Sequence, residues 1–329
     1  MSRLRFPFPR TGGSRGRGGF PFPLPRRQTR QQAGQRQTGR RRPMFGRPGG
    51  ATGGLGNGIK ARLLIALAIA AFALISYYTK PGDINQVTGE SERVAMTEES
   101  QEIQLGLQAA PEMVGQHGGP SRNAADQERV SQVGMRLLNT LQDHLEAKGF
   151  NNPYLNSFRF TLLADSRTVN AFALPGGQVF ITQALYNRLE TEGQLAGVLG
   201  HEIGHVLARH GNKRMAKQGL FQGLAGAIGV LGGTNQSAQM AQMISSVLAM
   251  KFGRDDELES DDWGVRLCGM SGYDPHAMIG VMKILAEASG GKSQPEFFST
   301  HPSPPNRIEK IKAVIAREYP QGVPPGMRP

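Results

Sequence analysis

His201, Glu202 and His205 stand in the stretch VLGHEIGHVLARHG, residues 198 to 211, and have the form H-E-x-x-H. On a helix, two histidines four apart lie about 40° apart in projection and one turn apart along the axis, so both imidazoles leave one face. That placement suits two ligands of one tetrahedral zinc ion. Glu202 lies about 100° round from His201, poorly placed to ligate the same ion but able to reach a water bound to it. Zinc lowers the pKa of such a water to about 7, and a carboxylate beside it can take the proton and later pass it to a leaving amine. At ordinary frequencies of His and Glu, chance gives the pattern in roughly one five-residue window in 40,000. An ordinary helix with two satisfied surface histidines is therefore the weaker explanation.

A protein zinc site needs at least one more ligand. The candidates are His210, His301 and the acidic run GRDDELESDDWG at 253 to 264. His210 is nine residues from His201, about 180° round a continuing helix, so it is expected to face away, near a helix C-terminus where an imidazole favours the dipole. Glu257 and Asp261 are four apart on one face, so one can bind the metal while the other accepts a bond from a ligand imidazole. Glu259 is the rival ligand, and a solvated charge run is the plain alternative; spacing alone leaves these open.

Several elements must position these residues. Val130, Val133, Leu137, Leu138, Leu141 and Leu145 recur at helical spacing and predict an amphipathic helix over 122 to 147. SFRFTLL (157 to 163) and GQVFIT (177 to 182) read as strands flanking TVNAFALPGG, a short meander turning at Pro175-Gly176-Gly177. Helices are expected after it, over 183 to 189, 192 to 210, 213 to 230, 237 to 252, 255 to 270, 275 to 288 and 305 to 317. The apolar stretch 219 to 250 is broken by Gly232-Gly233-Thr234-Asn235-Gln236 into pieces too short to cross a bilayer, so it is expected to pack on the core rather than lean on a membrane surface.

The 329-residue chain carries a formal net charge of +12, which taken whole would point to a nucleic acid or an anionic surface. Position changes that reading. Residues 1 to 60 hold 13 Arg, one Lys and no acidic residue, leaving 24 basic against 26 acidic residues in the rest. This Arg-, Gly- and Pro-rich tail has no apolar period and reads as disordered. It lacks an aromatic stacking platform, so nucleic acid is not favoured as the main partner. Residues 61 to 79, ARLLIALAIAAFALISYYT, read as a single transmembrane anchor with Tyr77 and Tyr78 at an interface. A core helix would need a polar face, and a cleaved signal would make an overlong leader. The preceding arginines predict a cytoplasmic tail and an exported remainder in the inner membrane, with the mitochondrial inner membrane as the alternative. Residues 80 to 96 read as a polar linker, and the globular domain as 97 to 329. The lone Cys268 excludes an intrachain disulfide framework and a zinc site built on cysteine clusters.

Four blocks carry a resemblance over 97 to 317: NAFALPGGQVFITQAL (170 to 185), EGQLAGVLGHEIGHVLARH (192 to 210), RDDELESDDWG (254 to 264) and STHPSPPNRI (299 to 308). In this order they resemble the minigluzincin zinc metallopeptidases of metallopeptidase family forty-eight, which include CAAX prenyl proteases and bacterial periplasmic protease-chaperones. Ser260 departs from the family's alanine. The resemblance implies an α+β, mostly helical zincin-like domain with a small sheet. It implies one zinc ion held by His201, His205 and Glu257, with Glu202 as base, Asp261 and Arg307 in support, and Arg307 ordering its loop. His301 would stabilise an oxyanion or cap the zinc at rest. It further implies that GGQVFIT is an edge strand holding an extended polypeptide by main-chain bonds, with Asn170, Gly177 and Val179 against the substrate. The expected function is a membrane-anchored zinc endopeptidase acting on unfolded or misassembled proteins. The second expectation is an assembly factor that cleaves rarely.

Overall fold

The computed structural model describes residues 55–79, 82–232, 252–289, 296–302 and 306–329. Most of the expected tail, nearly all of the helix expected at 237 to 252 and the later half of the apolar 219 to 250 segment lie outside the described residues.

Helix α1 (Leu55–Tyr78) is continuous, and its part Lys60–Tyr78, with mean hydropathy 1.9, is long and apolar enough to cross a membrane. Its large side chains face outward: Leu64 is 68% and Phe72 74% exposed, the reverse of a core helix. The segment expected to be a linker is instead built into the domain. Strands β1 (Asp83–Ile84) and β2 (Ser91–Glu92) pair antiparallel. Asn85 donates from Nδ2 to Leu207 O at 2.7 Å, and buried Glu92 meets Lys213 Nζ at 3.1 Å. Polar composition concealed this segment because its polar side chains satisfy groups within the fold.

Helix α2 (Glu99–Gln116) has no counterpart in the periodicity reading. A buried carboxylate helps to hold it: Glu102 Oε1 accepts from Arg209 Nε at 2.6 Å, Asn212 Nδ2 at 2.7 Å and Tyr154 OH at 3.1 Å. Helix α3 (Ala124–Glu146) matches its expected span, capped by Asn123, and buries the six residues of its apolar stripe.

The sheet comprises β3 (Arg159–Leu163), β4 (Ala171–Leu174) and β5 (Gln178–Thr182), in the order β3-β5-β4. The expected turn holds, with Gly176 and Gly177 at φ 79° and 103°, where a Cβ would be strained. The expected meander does not: TVNAFALPGG contains β4, and β3 pairs parallel with β5 rather than with its successor. GGQVFIT is accordingly not an edge. All five residues of β5 are buried between its two neighbours, as suits a strand covered on both faces. The edge on this side is β4.

Seven helices follow among the described residues: α4 (Gln183–Tyr186), α5 (Glu192–Leu207), α6 (His210–Gly232), α7 (Arg254–Met270), α8 (Ala277–Ala288), α9 (Phe297–Thr300) and α10 (Arg307–Glu318). The fold is α+β and mostly helical. Thr191 caps α5, accepting from Gln194 N at 3.2 Å, and every residue from Gly193 to Leu207 is buried. Helices α5 and α7 cross where both lack bulk. A methyl built on Gly204 would lie 3.1 Å from Ser260 Cα, and one on Gly200 would lie 3.2 Å from Gly264 Cα. Ser260 is small enough for the crossing that brings Glu257 beside the two histidines.

Candidate active site

Helix α5 presents His201 and His205 from one face, α7 presents Glu257, and the residue after α9 is His301; all four are buried. Their ligand atoms lie within 4.8 Å of one another. His201 Nε2 is 3.1 Å from His205 Nε2, 3.4 Å from His301 Nδ1 and 3.5 Å from Glu257 Oε2. Glu257 Oε1 is 3.5 Å from His205 Nε2 and 3.1 Å from His301 Nδ1. Bonds of about 2.0–2.1 Å in a tetrahedron place ligand atoms about 3.3–3.4 Å apart, so the donor set has the size and composition of a zinc site. His301 Nδ1 stands at the fourth corner.

The surroundings orient each donor. Asp261 Oδ1 accepts from His201 Nδ1 at 2.9 Å, which directs Nε2 toward the centre. Arg307 grips Asp261 with two bonds, Nε to Oδ2 at 2.6 Å and Nη2 to Oδ1 at 2.8 Å, and its Nη2 is 3.3 Å from Glu257 Oε2. Arg307 therefore reaches two carboxylates of α7, Glu257 and Asp261. Phe252 stacks on His205 with centroids 4.0 Å apart, and Phe297 on His301 at 4.4 Å.

His210 corrects the expectation that it faces away. Helix α5 stops at Leu207, Arg209 turns at φ 52°, and α6 begins at His210, so the rotation expected of an unbroken helix does not apply. His210 Nδ1 lies 2.8 Å from His205 Nδ1, and its Nε2 lies 3.0 Å from Glu259 Oε2. A bare Nε2 on His205 requires Nδ1–H to donate to His210, whose Nε2–H then donates to Glu259. Glu259, the rival ligand, is thus a support for His205 two steps removed. Gly211, directly after, was the available sequence signal for a helix end.

Electrostatics follow from burial and these contacts. Burial lowers His201, but its bonds to Asp261 and Glu257 and their charges reverse the effect and carry it to about 9. Burial also opposes the charged form of Glu257, yet His301 and His201 hold that carboxyl well below the usual range. Burial and then the charges of His201, His210 and His301 keep His205 neutral. Glu202 is fully buried, and burial lifts its pKa against the smaller opposing effects of His301 and His201. Neither Glu202 oxygen has a hydrogen-bond partner among the described residues, which fits a group that serves a bound water or substrate.

Of the expected substrate residues, Asn170 immediately precedes β4. Its backbone is fixed by Thr182, and its buried Oδ1 has no partner among the described residues. Gly177 lies in the turn, and Val179 is fully buried in the central strand, where it cannot pair with a substrate. A narrow cleft lined by Ala173, Leu174, His205 and Phe252 runs between β4 and the His205 side of the donor set.

A profile of Peptidase family M48 matches residues 126–315. The beta-barrel assembly-enhancing protease of Yersinia pestis is 36% identical over 188 residues, covering 54% of this chain and 38% of that protein. The mitochondrial metalloendopeptidase OMA1 of Arabidopsis thaliana is 33% identical over 154 residues, covering 46% and 30%. Metalloprotease YcaL of Escherichia coli is 29% identical over 151 residues, covering 45% and 59%. The chain thus spans well under half the length of the first of these relatives. Zinc is the metal of the matched family. Because the match takes in more than half of the chain, including every residue of the donor set and Glu202, the chain belongs to Peptidase family M48.

Proposed function

We propose that the protein is a membrane-anchored zinc endopeptidase that cuts unfolded or misassembled proteins on the far side of the membrane from its basic tail. The observation that carries this is a buried set of four donors, three imidazoles and a carboxylate, beside Glu202, a buried carboxylate with no bond of its own among the described residues. Bound zinc supplies Lewis acidity, polarising a peptide carbonyl and acidifying water. Glu202, made more basic by burial, takes the proton of the attacking water and returns it to the departing amine. Asp261 and His210 hold His201 and His205 in the tautomer that faces the metal.

The edge assigned by resemblance to β5 passes to β4. Its outer side has no strand partner among the described residues, and it borders the cleft at His205. An extended chain pairing there is held by its main chain, a mode that accepts many side chains and so suits unfolded proteins. Asn170 Oδ1 offers an acceptor at the start of that edge. The family names of relatives, an assembly-enhancing protease and a mitochondrial metalloendopeptidase, support a role in protein quality control at a membrane. The basic residues before α1 support a cytoplasmic N-terminus in a bacterial inner membrane; the mitochondrial inner membrane is the alternative.

A second reading, an assembly factor that cleaves rarely, draws support from His301 at the fourth corner, where a catalytic water would bind. One variant tests both. Glu202→Gln abolishes cleavage of an unfolded protein while zinc content stays unchanged; full residual activity overturns the assignment, and rescue of a deletion phenotype by this inactive variant favours the assembly role.

A further inference from the structure

We propose that α6 is a second membrane-inserted element: its distal part, from about Gly219 to Gly232, enters the lipid beside α1 without crossing it. The inference rests on the reading of α1 as a membrane anchor.

The two helices run in opposite directions. Helix α1 enters the domain at its C-terminal end, where Arg93 lies over the Tyr78 ring at 5.8 Å, and α6 leaves the domain at its N-terminal end, where His210 meets His205. Their register is fixed farther out: a methyl built on Gly223 would lie 2.6 Å from Ala73 Cβ. Ile69, Phe72 and Ala73 of α1 line one groove with Gly219, Leu220 and Gly223 of α6. From Gly223, the remaining nine residues of α6 reach about 14 Å further from the domain, alongside the apolar middle of α1.

Charge ends at one level on both helices. Lys217 is the last charged residue of α6, and GLFQGLAGAIGVLG (219 to 232) contains Gln222 as its only strongly polar side chain. In the antiparallel register Lys217 falls level with Thr79, just where the apolar run of α1 ends and Lys80 follows. Two unrelated stretches of sequence thus place the boundary with water at the same height.

The contact is also of the kind that lipid favours. Between helices in hydrocarbon, close approach at small residues replaces the burial of large apolar ones. Gly219, Gly223 and Ala227 recur every four residues on α6, while Ala66 and Ala73 sit two turns apart on α1 with Ala66 buried. Large side chains of α1 outside that groove, Leu64 at 68% and Leu67 at 57% exposure among them, are left open. At about 21 Å for 14 residues, the apolar part of α6 falls short of the roughly 30 Å hydrocarbon core, so it enters without spanning.

Cys268 is buried, so an added cysteine can carry a nitroxide label. The test uses full-length chain in phosphatidylethanolamine–phosphatidylglycerol vesicles, labelled at Ile228→Cys, Val230→Cys, Lys217→Cys or, on the anchor, Leu67→Cys. Positions 228 and 230 are two residues apart, about 200° round a helix, so labels at both sample opposite faces. Collision with oxygen should exceed collision with a water-soluble nickel chelate several-fold more at Ile228 or Val230 than at Lys217, approaching the ratio at Leu67. Ratios at both α6 positions equal to that at Lys217, with Leu67 deep, overturn the proposal and leave the anchor standing. A water-exposed Leu67 overturns the anchor reading itself, and the proposal with it. Retained zinc content in each variant reports that the domain has folded.

Discussion

At the residue scale, the site turns on which nitrogen of each imidazole is left bare. His201 and His205 give Nδ1–H to Asp261 and His210 and point Nε2 inward, whereas His301 points Nδ1 inward and holds Nε2 3.7 Å from Glu202 Oε1. His301 therefore occupies a corner and lies close to the base. Replacing His301 with Ala frees that corner while three ligands remain, so cleavage of an unfolded protein should rise several-fold with zinc retained. Turnover that falls in a zinc-replete variant would show instead that His301 works in catalysis. The sequence pointed to His201, Glu202 and His205 because helical spacing converts directly into direction, whereas Glu257 and Asp261 were separated from Glu259 only by the family resemblance. It misplaced His210 for the same reason: the rule was carried through Arg209, whose φ of 52° ends one helix and lets another begin. Phe252 and Phe297 gave no signal, since stacking on an imidazole has no spacing.

At the scale of elements, β4 combines an edge with no strand partner among the described residues with proximity to His205. Thr182 N donates to Asn170 O, so by the two-residue alternation of an antiparallel ladder the N–H groups of Phe172 and Leu174 face β5 and that of Ala173 faces outward. Ala173→Pro should remove an outward donor without breaking the ladder, raising KM for a protein substrate several-fold with zinc content and melting temperature nearly unchanged. An unaltered KM would remove β4 from the substrate path. The connection leading into β4 allows a stability test. Asp165 accepts from Arg167 N at 2.9 Å, Thr168 N at 3.0 Å and His117 Nδ1 at 3.2 Å. Burial disfavours its charge, but these bonds prevail and hold the carboxyl well below its usual range. With the folded pKa depressed, its stabilisation is present above about pH 4 and is lost as pH falls further. Asp165→Asn should thus cost about 1 kcal/mol, or about 2–4 °C in Tm, at pH 7 and progressively less between pH 5 and pH 3. An equal loss throughout would refute the assignment. Apolar periodicity revealed α3, α5 and α7, whose packing is apolar. It missed α2 and the β1–β2 hairpin, which are tied down by Glu102 and Asn85, and it could not tell a central strand from an edge, because pairing partners lie far away in sequence.

At the scale of the whole molecule, the apolar helix α1 and the site are joined by few residues. Helix α1 leads into the β1–β2 hairpin, and Asn85 of that hairpin bonds to Leu207 at the end of the helix that carries both histidines. Six Gly and Ser residues inserted after Thr79 should leave cleavage of a soluble unfolded protein unchanged and reduce cleavage of a membrane-embedded one, measured side by side; equal rates on both would show that the distance from the membrane is not set by this connection. The sequence disclosed the apolar helix α1 and the charge asymmetry, which are properties of composition, but not this connection, which rests on single polar contacts. The fourth corner has a consequence for selection. If His301 must leave before water can enter, each cleavage begins with an uphill step, and only the substrate can repay it. A short peptide forms few main-chain bonds along β4, whereas a long unstructured stretch forms many, so the enzyme would gauge how much continuous backbone a protein has failed to fold. Chains only briefly extended on their way to assembly would pass uncut.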